Sequence, residues 1–529
     1  MDEKVHNGST ESPSADSDVP SSVRHEEGWT PKEETRAKRK VDSTVLPLLF
    51  LGLLVFQLDR MNLASALTGG FAADIGVSQD TINLGNQLMF LGIVVLEIPS
   101  NLLLQKLGPR KWISAQVLVF GLLATLQVLV RDRAGFLATR MLLGLAEAGY
   151  IPGGIYTLQA WYSRRELARR VAIFFFGMFG GNAISPLLAS GILKLEGARG
   201  LRGWQWLFLL EGIFTMLVSL LLLLFLPGSP DEPRPLLSPG LVRFTPDEQQ
   251  VLQRRQERDH GNGHGIGSPT AAAAVAASTG SVSGTPIPLR VVWKTVTHYK
   301  RWPHFVSTFA VFSTWSPLTT YTPSIIMALG FDRTAANALA AVGALLALAV
   351  VFAFAWLSDR TNRRGLSVVA AQACYLVVLI VARAVHPHVP GRWSRWGLWT
   401  AVNALAVGYH PVHNSWVQLN CRDAGERSIA IAMWVMSAIL GLMVGTQYFR
   451  GGDAPFYDKG LRTMIIMVAV GIVFALLQIA IYTIHNRRVA QGKITTTTRT
   501  RRSRVRRDGE EGPAEVEELE EEAPMIYVP

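Results

Sequence analysis

WLSDRTNRRG, Trp356–Gly365, sets four charged side chains, Asp359, Arg360, Arg363 and Arg364, between two long apolar stretches. Far upstream, LLLQKLGPRKW (Leu102–Trp112) repeats the plan: a polar residue, a basic one, any residue, a turn former, then more basic residues. The turn formers Gly108 and Asn362 suit a tight reversal with positive φ, and the basic residues would hold that reversal on the cytoplasmic side of a membrane. A charged hairpin that recurs at matching places implies a duplicated chain. Each half would hold the same series of helices.

Working outward from the hairpins, apolar runs of about 20 residues recur, the length that crosses a ~30 Å hydrocarbon core. Phe208–Pro227 and Met464–Tyr482 are two of them. The chain has 529 residues, of which 49% are hydrophobic and only 17% charged; a soluble protein carries about 25% charged residues. A net charge of +11 would suggest nucleic acid in a soluble protein, but the basic residues stand beside spans, so the bilayer is the expected partner and nucleic acid is not. Cys374 and Cys421 lie in or beside apolar runs and suggest no disulfide framework. The polar first forty residues contain no signal-peptide core.

Twelve spans are predicted, starting near Val45, Ile82, Trp112, Gly135, Arg169 and Trp206, then near Trp302, Ala336, Leu366, Trp396, Glu426 and Arg462. The fold class is therefore an all-α membrane protein with two pseudo-symmetric six-helix bundles. Residues 1–41 read as a disordered N-terminal tail, 42–228 as the first bundle, 229–297 as a flexible linker, 298–486 as the second bundle, and 487–529 as a disordered tail. That last segment carries a basic block (RTRRSRVRR, from Arg499) and an acidic one (EVEELEEE, from Glu515). The basic block could hug anionic lipid, pair with the acidic block, or stay solvated. An even span count places both termini in the cytosol, and a cell membrane is the expected location.

Four ionisable residues fall inside the first and fourth spans. LVFQLDRMNLASAL contributes Asp59 and Arg60, and LATRMLLGLAEAGYIPGG contributes Arg140 and Glu147. A charge at bilayer depth costs several kcal/mol, so such groups face a cavity or a partner. Arg140 and Glu147 are seven apart, on one helix face but ~10 Å apart along the axis, too far for an ideal mutual pair. Asp59 and Arg60 supply the matching signs if the first and fourth spans face one cavity. Arginine does not deprotonate, so protonated carboxylates would leave a cationic site for an organic anion, and proton loss would weaken its hold. The alternative is that the charges only pin helices together. Among weaker signals, Glu97 and Glu211 suit structural interhelix bonds. His410 and Asn414 in the tenth span suit contact with cargo, while His410 and His413 without a third ligand argue poorly for metal. No cofactor, metal or catalytic constellation is expected, so the chain is predicted to be a monomeric carrier and not an enzyme.

The hairpins at 102–112 and 356–365 resemble the signature loop of the major facilitator superfamily, with Gln105 replacing the loop aspartate in the first copy. The resemblance implies that Asp359, Arg360, Arg363 and Arg364 form a conformational latch; the alternative is a simple cytoplasmic anchor. Asp59-Arg60-x-Asn62, with Arg140, Gly144, Glu147, Gly149, Pro152 and Gly153, is similar to the anion:cation symporter family. Residues 415–439 and 445–457 resemble its fungal allantoate permease group in particular. That resemblance implies a proton-coupled symporter of a small organic anion, with Arg60 and Arg140 on substrate and Asp59 and Glu147 carrying protons. Small residues at Gly181, Ser185, Pro186, Ala189 and Ser190 look like a degenerate antiporter motif and keep open an exporter of a secondary metabolite. A carrier-shaped nutrient receptor is the other alternative.

Overall fold

The computed structural model describes residues 29–237, 244–261, 289–385, 390–422, 424–493, 497–505, 514–522 and 525–529. The first bundle is built from α1 (Pro31–Thr68), α2 (Gln79–Leu107), α3 (Pro109–Leu126), α4 (Arg133–Glu147), α5 (Tyr150–Trp161), α6 (Arg164–Ile192) and α7 (Gly203–Phe225). Two helices, α8 (Pro246–Gly261) and α9 (Leu289–Val296), belong to the linker. The second bundle comprises α10 (Trp302–Phe312), α11 (Trp315–Ala328), α12 (Arg333–Thr361), α13 (Arg364–Val385), α14 (Arg392–Leu405), α15 (His410–Leu419), α16 (Ala424–Gly445) and α17 (Asp458–Ala490). α4 and α5 are two halves of one crossing, as are α10 with α11 and α14 with α15, which gives the twelve expected crossings. Among the described residues, seven helices are by themselves long and apolar enough to span a bilayer. The other five crossings are the three broken ones, α2 and α16.

Each break falls four residues before a proline. Pro152, Pro317 and Pro411 lack the N–H that would bond the carbonyls of Ala148, Ser313 and Val407, and the ring crowds each of those carbonyls. Proline alone does not suffice, since Pro47, Pro99, Pro186 and Pro323 sit inside continuous helices. The breaks add a second weakness: Gly149 at φ 80°, Gly408, or the Ser313 and Thr314 hydroxyls turned back on the carbonyls of Ala310 and Val311.

Within the bundles α1 packs on α6, α3 on α7, and α2 on α4, while α10 packs on α16 and α17 and α13 on α17. Between them α1 meets α11, α2 meets α16, and α6 meets α12, a pseudo-symmetric seam. Leu217, Phe352, Val377 and Val473 are more than half exposed on the outer surface, where lipid would cover them.

Both signature hairpins turn as expected, with Gly108 at φ 84° and Asn362 at φ 52°. Elsewhere the boundaries differ from the sequence reading. α1 begins at Pro31, because Thr30 and Glu33 form a reciprocal capping box, so only residues 1–28 of the expected tail lie outside the described residues. The linker, expected to be flexible throughout, contains α8; residues 238–243 and 262–288 lie outside the description. The C-terminal segment, expected to be disordered, forms an antiparallel ribbon of β1 (Thr497–Val505) and β2 (Ala514–Glu522). That ribbon sets the basic block against the acidic one. The helix starts of α1 and α6, the linker helix α8 and the C terminus all lie at one end of the molecule, here called the tail end; the opposite end is the far end.

At the tail end α8 is held by charge. Glu166 of α6 pairs with Lys38 at 2.9 Å and with Arg255 at 2.8 Å, and Glu248 pairs with Lys40 at 2.8 Å. Burial alone would raise both carboxyls, but hydrogen bonds from Lys38 and Arg255, and from Lys40 and the Thr245 amide, hold them below the ordinary glutamate range. A depressed carboxyl pKa stabilises the docked form above the unfolded value and loses that contribution as pH falls through the folded one. α8 is therefore expected to detach below pH ~4.5 and not between pH 6 and 8, read as new protease cleavage within 246–261 in acid.

Candidate functional site

The break between α4 and α5 opens the helix backbone in mid-bundle, and neighbouring side chains close it. The Gly149 amide donates to Glu97 Oε2 of α2 at 3.0 Å. Gln116 Nε2 of α3 donates to the carbonyls of Ala146 at 2.9 Å and Ala148 at 2.6 Å. Irregular backbone at membrane depth is tolerated where it is buried in protein and satisfied this way. Glu97 thus makes an interhelix bond, as expected of it, while the part played by Gln116 had no sequence signal beyond a polar residue in an apolar span.

Glu147, the last residue of α4, sits at this break. Its Oε2 lies 2.7 Å from Arg60 Nε, joining α4 to α1. The Arg60 guanidinium also covers the Phe56 ring at 4.3 Å, which fixes its plane. Glu147 is buried, and its Oε1 has no hydrogen-bond partner. The Arg60 side chain keeps 18% of its surface exposed.

The other two charges do not join this pair. Adjacent residues on a helix point about 100° apart, and Asp59 turns away from Arg60 into its own bundle, where Thr215 Oγ1 of α7 donates to Asp59 Oδ2 at 3.1 Å. Its second oxygen has no partner, nor has either oxygen of the nearby buried Glu211. Arg140 is fully buried and donates to Asn86 Oδ1 at 2.6 Å and to Met89 Sδ at 3.1 Å, both on α2. Its Nε and second terminal nitrogen are unpartnered. The expectation of four charges in one aqueous pocket therefore gives way to one ion pair flanked by two separately held groups.

A cavity of about 60 Å³ lies on the seam between the bundles, lined by Met61, Asn182, Trp315, Thr322, Asn403 and Val407 among others. No charged side chain lines it; Met61, the neighbour of Arg60, does. Its polar groups are already tied: Gln57 to Asn182 at 2.7 Å and Thr322 to Asn403 at 3.0 Å. Sequence reasoning missed Gln57, Asn182 and Asn403, although a lone amide in an apolar span was a usable sign.

One turn beyond Val407, His410 packs its ring on Phe312 at 4.8 Å and Trp434 at 4.7 Å. Asn414 accepts from Gln418 at 2.9 Å. His413 instead bonds His304 at 3.1 Å, which reaches on to Tyr482 at 3.1 Å. His304, on α10, was not singled out in the sequence. In the second signature hairpin Asp359 pairs with Arg364 at 2.5 Å and Arg360 covers Trp356 at 5.4 Å, contacts that stay within the loop.

The far end of the seam is closed by hydrogen bonds between bundles. Asn83 donates to the Phe449 carbonyl at 2.7 Å and accepts from Tyr321 at 2.5 Å. Asn337 donates to Thr68 at 2.8 Å, and Arg333 pairs with Glu196 at 3.1 Å. Asn86, which holds Arg140, also donates to Thr320 of the second bundle at 3.2 Å. One amide thus links a buried cation to the far seal.

Residues 49–446 match the Major Facilitator Superfamily. An uncharacterised transporter of Saccharomyces cerevisiae is 26% identical over 439 residues, which is 83% of this chain and 78% of that one. A putative tartrate transporter of Agrobacterium vitis is 34% identical over 204 residues, 38% of this chain and 46% of that one. Among solved structures, an inward-facing bacterial homologue of the human lysosomal transporter Spinster superposes with a TM-score of 0.60 at 14% identity, over 83% of this chain and 96% of that one.

Proposed function

The chain belongs to the major facilitator superfamily, and on that premise we propose that it carries a small organic anion across the membrane together with protons, by alternating access. That it is a multi-pass membrane transporter and not an enzyme follows from the family and the fold. Cargo and coupling are the proposal. The observation that carries it is the Arg60–Glu147 pair at the broken crossing, where bonding capacity is left over on Glu147.

The pair is neutral as it stands. A cargo carboxylate entering alone would have to share the Arg60 guanidinium with the Glu147 carboxylate, two like charges in a low-dielectric interior, which is strongly disfavoured. A proton on Glu147 removes its charge and releases the guanidinium, so that the cargo carboxylate takes its place and the site is neutral again. Proton and anion therefore enter together, and the Arg60–Glu147 pair keeps the same net charge, zero, when empty and when doubly loaded. Arg140 offers a second contact through its unpartnered nitrogens. Engaging it would disturb Asn86 and with it the seal at Thr320. Asp59, held by Thr215 without an arginine partner, is a second proton site outside the pair. His410 and Asn414 would meet cargo from the other bundle, and Asp359 with Arg360, Arg363 and Arg364 would form the latch in the opposite conformation.

The motifs around Arg60 and Glu147 favour the anion:cation symporter branch and its allantoate permease group. The Agrobacterium relative, named for tartrate, supports a carboxylate cargo. In this reading the tail end is cytoplasmic, the chain acts as a monomer, and it resides in the cell membrane.

The test is a proton-flux assay in reconstituted vesicles, with tartrate first in a panel of organic acids. Inward proton movement on adding an outside acid is expected. Proton movement against the acid would replace symport by export. Binding without flux would replace both by a receptor.

A further inference from the structure

The last residues, Met525 to Pro529, lie along the tail ends of α15 and α17, and two asparagines read their backbone. Asn486 of α17 accepts from the Tyr527 amide at 2.9 Å and donates to the Tyr527 carbonyl at 2.7 Å. Asn420, just after α15, accepts from the Val528 amide at 2.7 Å and donates to the Val528 carbonyl at 3.1 Å. Trp416 Nε1 of α15 donates to the same carbonyl at 2.8 Å. The Tyr527 ring stacks on Tyr482 of α17 at 4.5 Å with the planes 4° apart, and only 5% of the residue is exposed. His485 bonds the Met525 carbonyl at 3.1 Å and meets the Tyr527 ring edge-on.

An asparagine amide has one donor end and one acceptor end. Using both on the N–H and C=O of a single residue imitates the way a strand edge receives a peptide, with an aromatic slot adding selectivity. Two such amides in succession, beside a tyrosine stack, form a built recognition site. We propose that this slot is a peptide-binding site whose ligand is the chain's own Tyr527-Val528, and that the bound segment straps α15 to α17. α15 is the half of the tenth crossing that lies beyond the Pro411 break. It is joined to α14 only through the irregular turn at 406–409, so it is the part of that crossing most free to pivot. The strap spans this hinged piece and the continuous α17.

The intervening chain favours docking. β1 and β2 align Arg499, Arg501, Arg502 and Arg504 with Glu520, Glu518, Glu517 and Glu515. Folding the leash back on itself returns the C terminus to the end of α17, which shortens the loop to be closed and raises the local concentration of the ligand. That a restrained α15 would slow transport rests on the carrier reading above; the binding and the restraint do not.

Amide hydrogen exchange on the full chain in detergent tests both without any cargo. The Tyr527 and Val528 amides are expected to exchange at least about 10-fold more slowly than an unstructured peptide. Asn486→Ala should abolish that protection, and Tyr527→Ala should weaken docking from the ligand side. In both variants the amides at the tail end of α15 should exchange at least about 3-fold faster, while those of α7 stay unchanged and report an intact fold. Free-peptide exchange at Tyr527 and Val528 in the unmodified chain would overturn the site. Unchanged α15 exchange after release would overturn the strap.

Discussion

Replacing Arg60 with alanine is expected to lower proton-driven uptake of the transported acid by about 100-fold or more. Removing one partner of a buried, hydrogen-bonded charge pair costs roughly 3 kcal/mol of binding, and about 1.4 kcal/mol is tenfold. The loss has two origins, which further variants separate. Arg60→Ala removes the cation that takes the cargo carboxylate, and it also strands Glu147 in a buried site. Glu147→Gln keeps the shape and relieves the stranded charge, so the double variant should regain thermal stability while uptake stays lost. Glu147→Gln alone should behave differently again. It leaves Arg60 free to bind, so exchange of labelled for unlabelled acid across the membrane persists, while accumulation driven by a pH gradient disappears. The pair would be purely structural if Glu147→Gln accumulated acid at the normal rate and with the normal pH dependence. Arg60→Lys sharpens the point, since it keeps the charge but loses the planar group held on Phe56.

Much of this was legible in the chain itself. Hydropathy runs and the repeated hairpin lead to twelve crossings because both follow from local composition. The prolines at 152, 317 and 411 mark the broken crossings, although only the company of Gly149, Gly408 or Ser313 tells them from the four prolines that leave helices intact. The charged residues inside spans were found by the same logic, since a charge in lipid needs a reason. What they face was not legible. Asp59 and Arg60 are neighbours in sequence and diverge in space, and only the packing of α7 against α1 decides that Asp59 meets Thr215. Arg140 found its partner in Asn86, an uncharged residue on another helix that no pattern of charges could indicate. The docked C terminus was hidden for a related reason: five residues carry no periodicity, and their meaning lies in Asn420 and Asn486, distant in sequence.

The largest effect on stability is expected at Gly144. This glycine lies one turn from both Arg140 and Glu147, on the face of α4 that touches α2. A β-carbon added there would stand 2.0 Å from the Met89 carbonyl oxygen and 2.7 Å from its carbonyl carbon. Both are helix backbone, so no side chain can rotate away, and the two helices must separate. Small residues at such a seam are what allow close approach in lipid, where packing supplies most of the association energy. Overpacking of this kind costs about 1–3 kcal/mol or more. Gly144→Ala should therefore lower the melting temperature of the purified protein by several degrees, and Gly144→Val should prevent a monodisperse species from accumulating. Gly445, the last residue of α16, provides an independent case, since a β-carbon there would meet the Ser313 carbonyl oxygen at the break in the seventh crossing. Gly397→Ala, with open space around it in α14, is the control and should melt no lower than the unmodified chain. The separation at Gly144 also carries a functional signature that simple destabilisation lacks. It pulls Met89 and Asn86 away from Arg140, and Asn86 is part of the far seal. Any Gly144→Ala protein that survives purification should therefore show faster exchange at the Thr320 end of α11 than the Gly445→Ala protein melting at the same temperature. Equal exchange in the two would mean that Arg140 is not connected to the seal through Asn86.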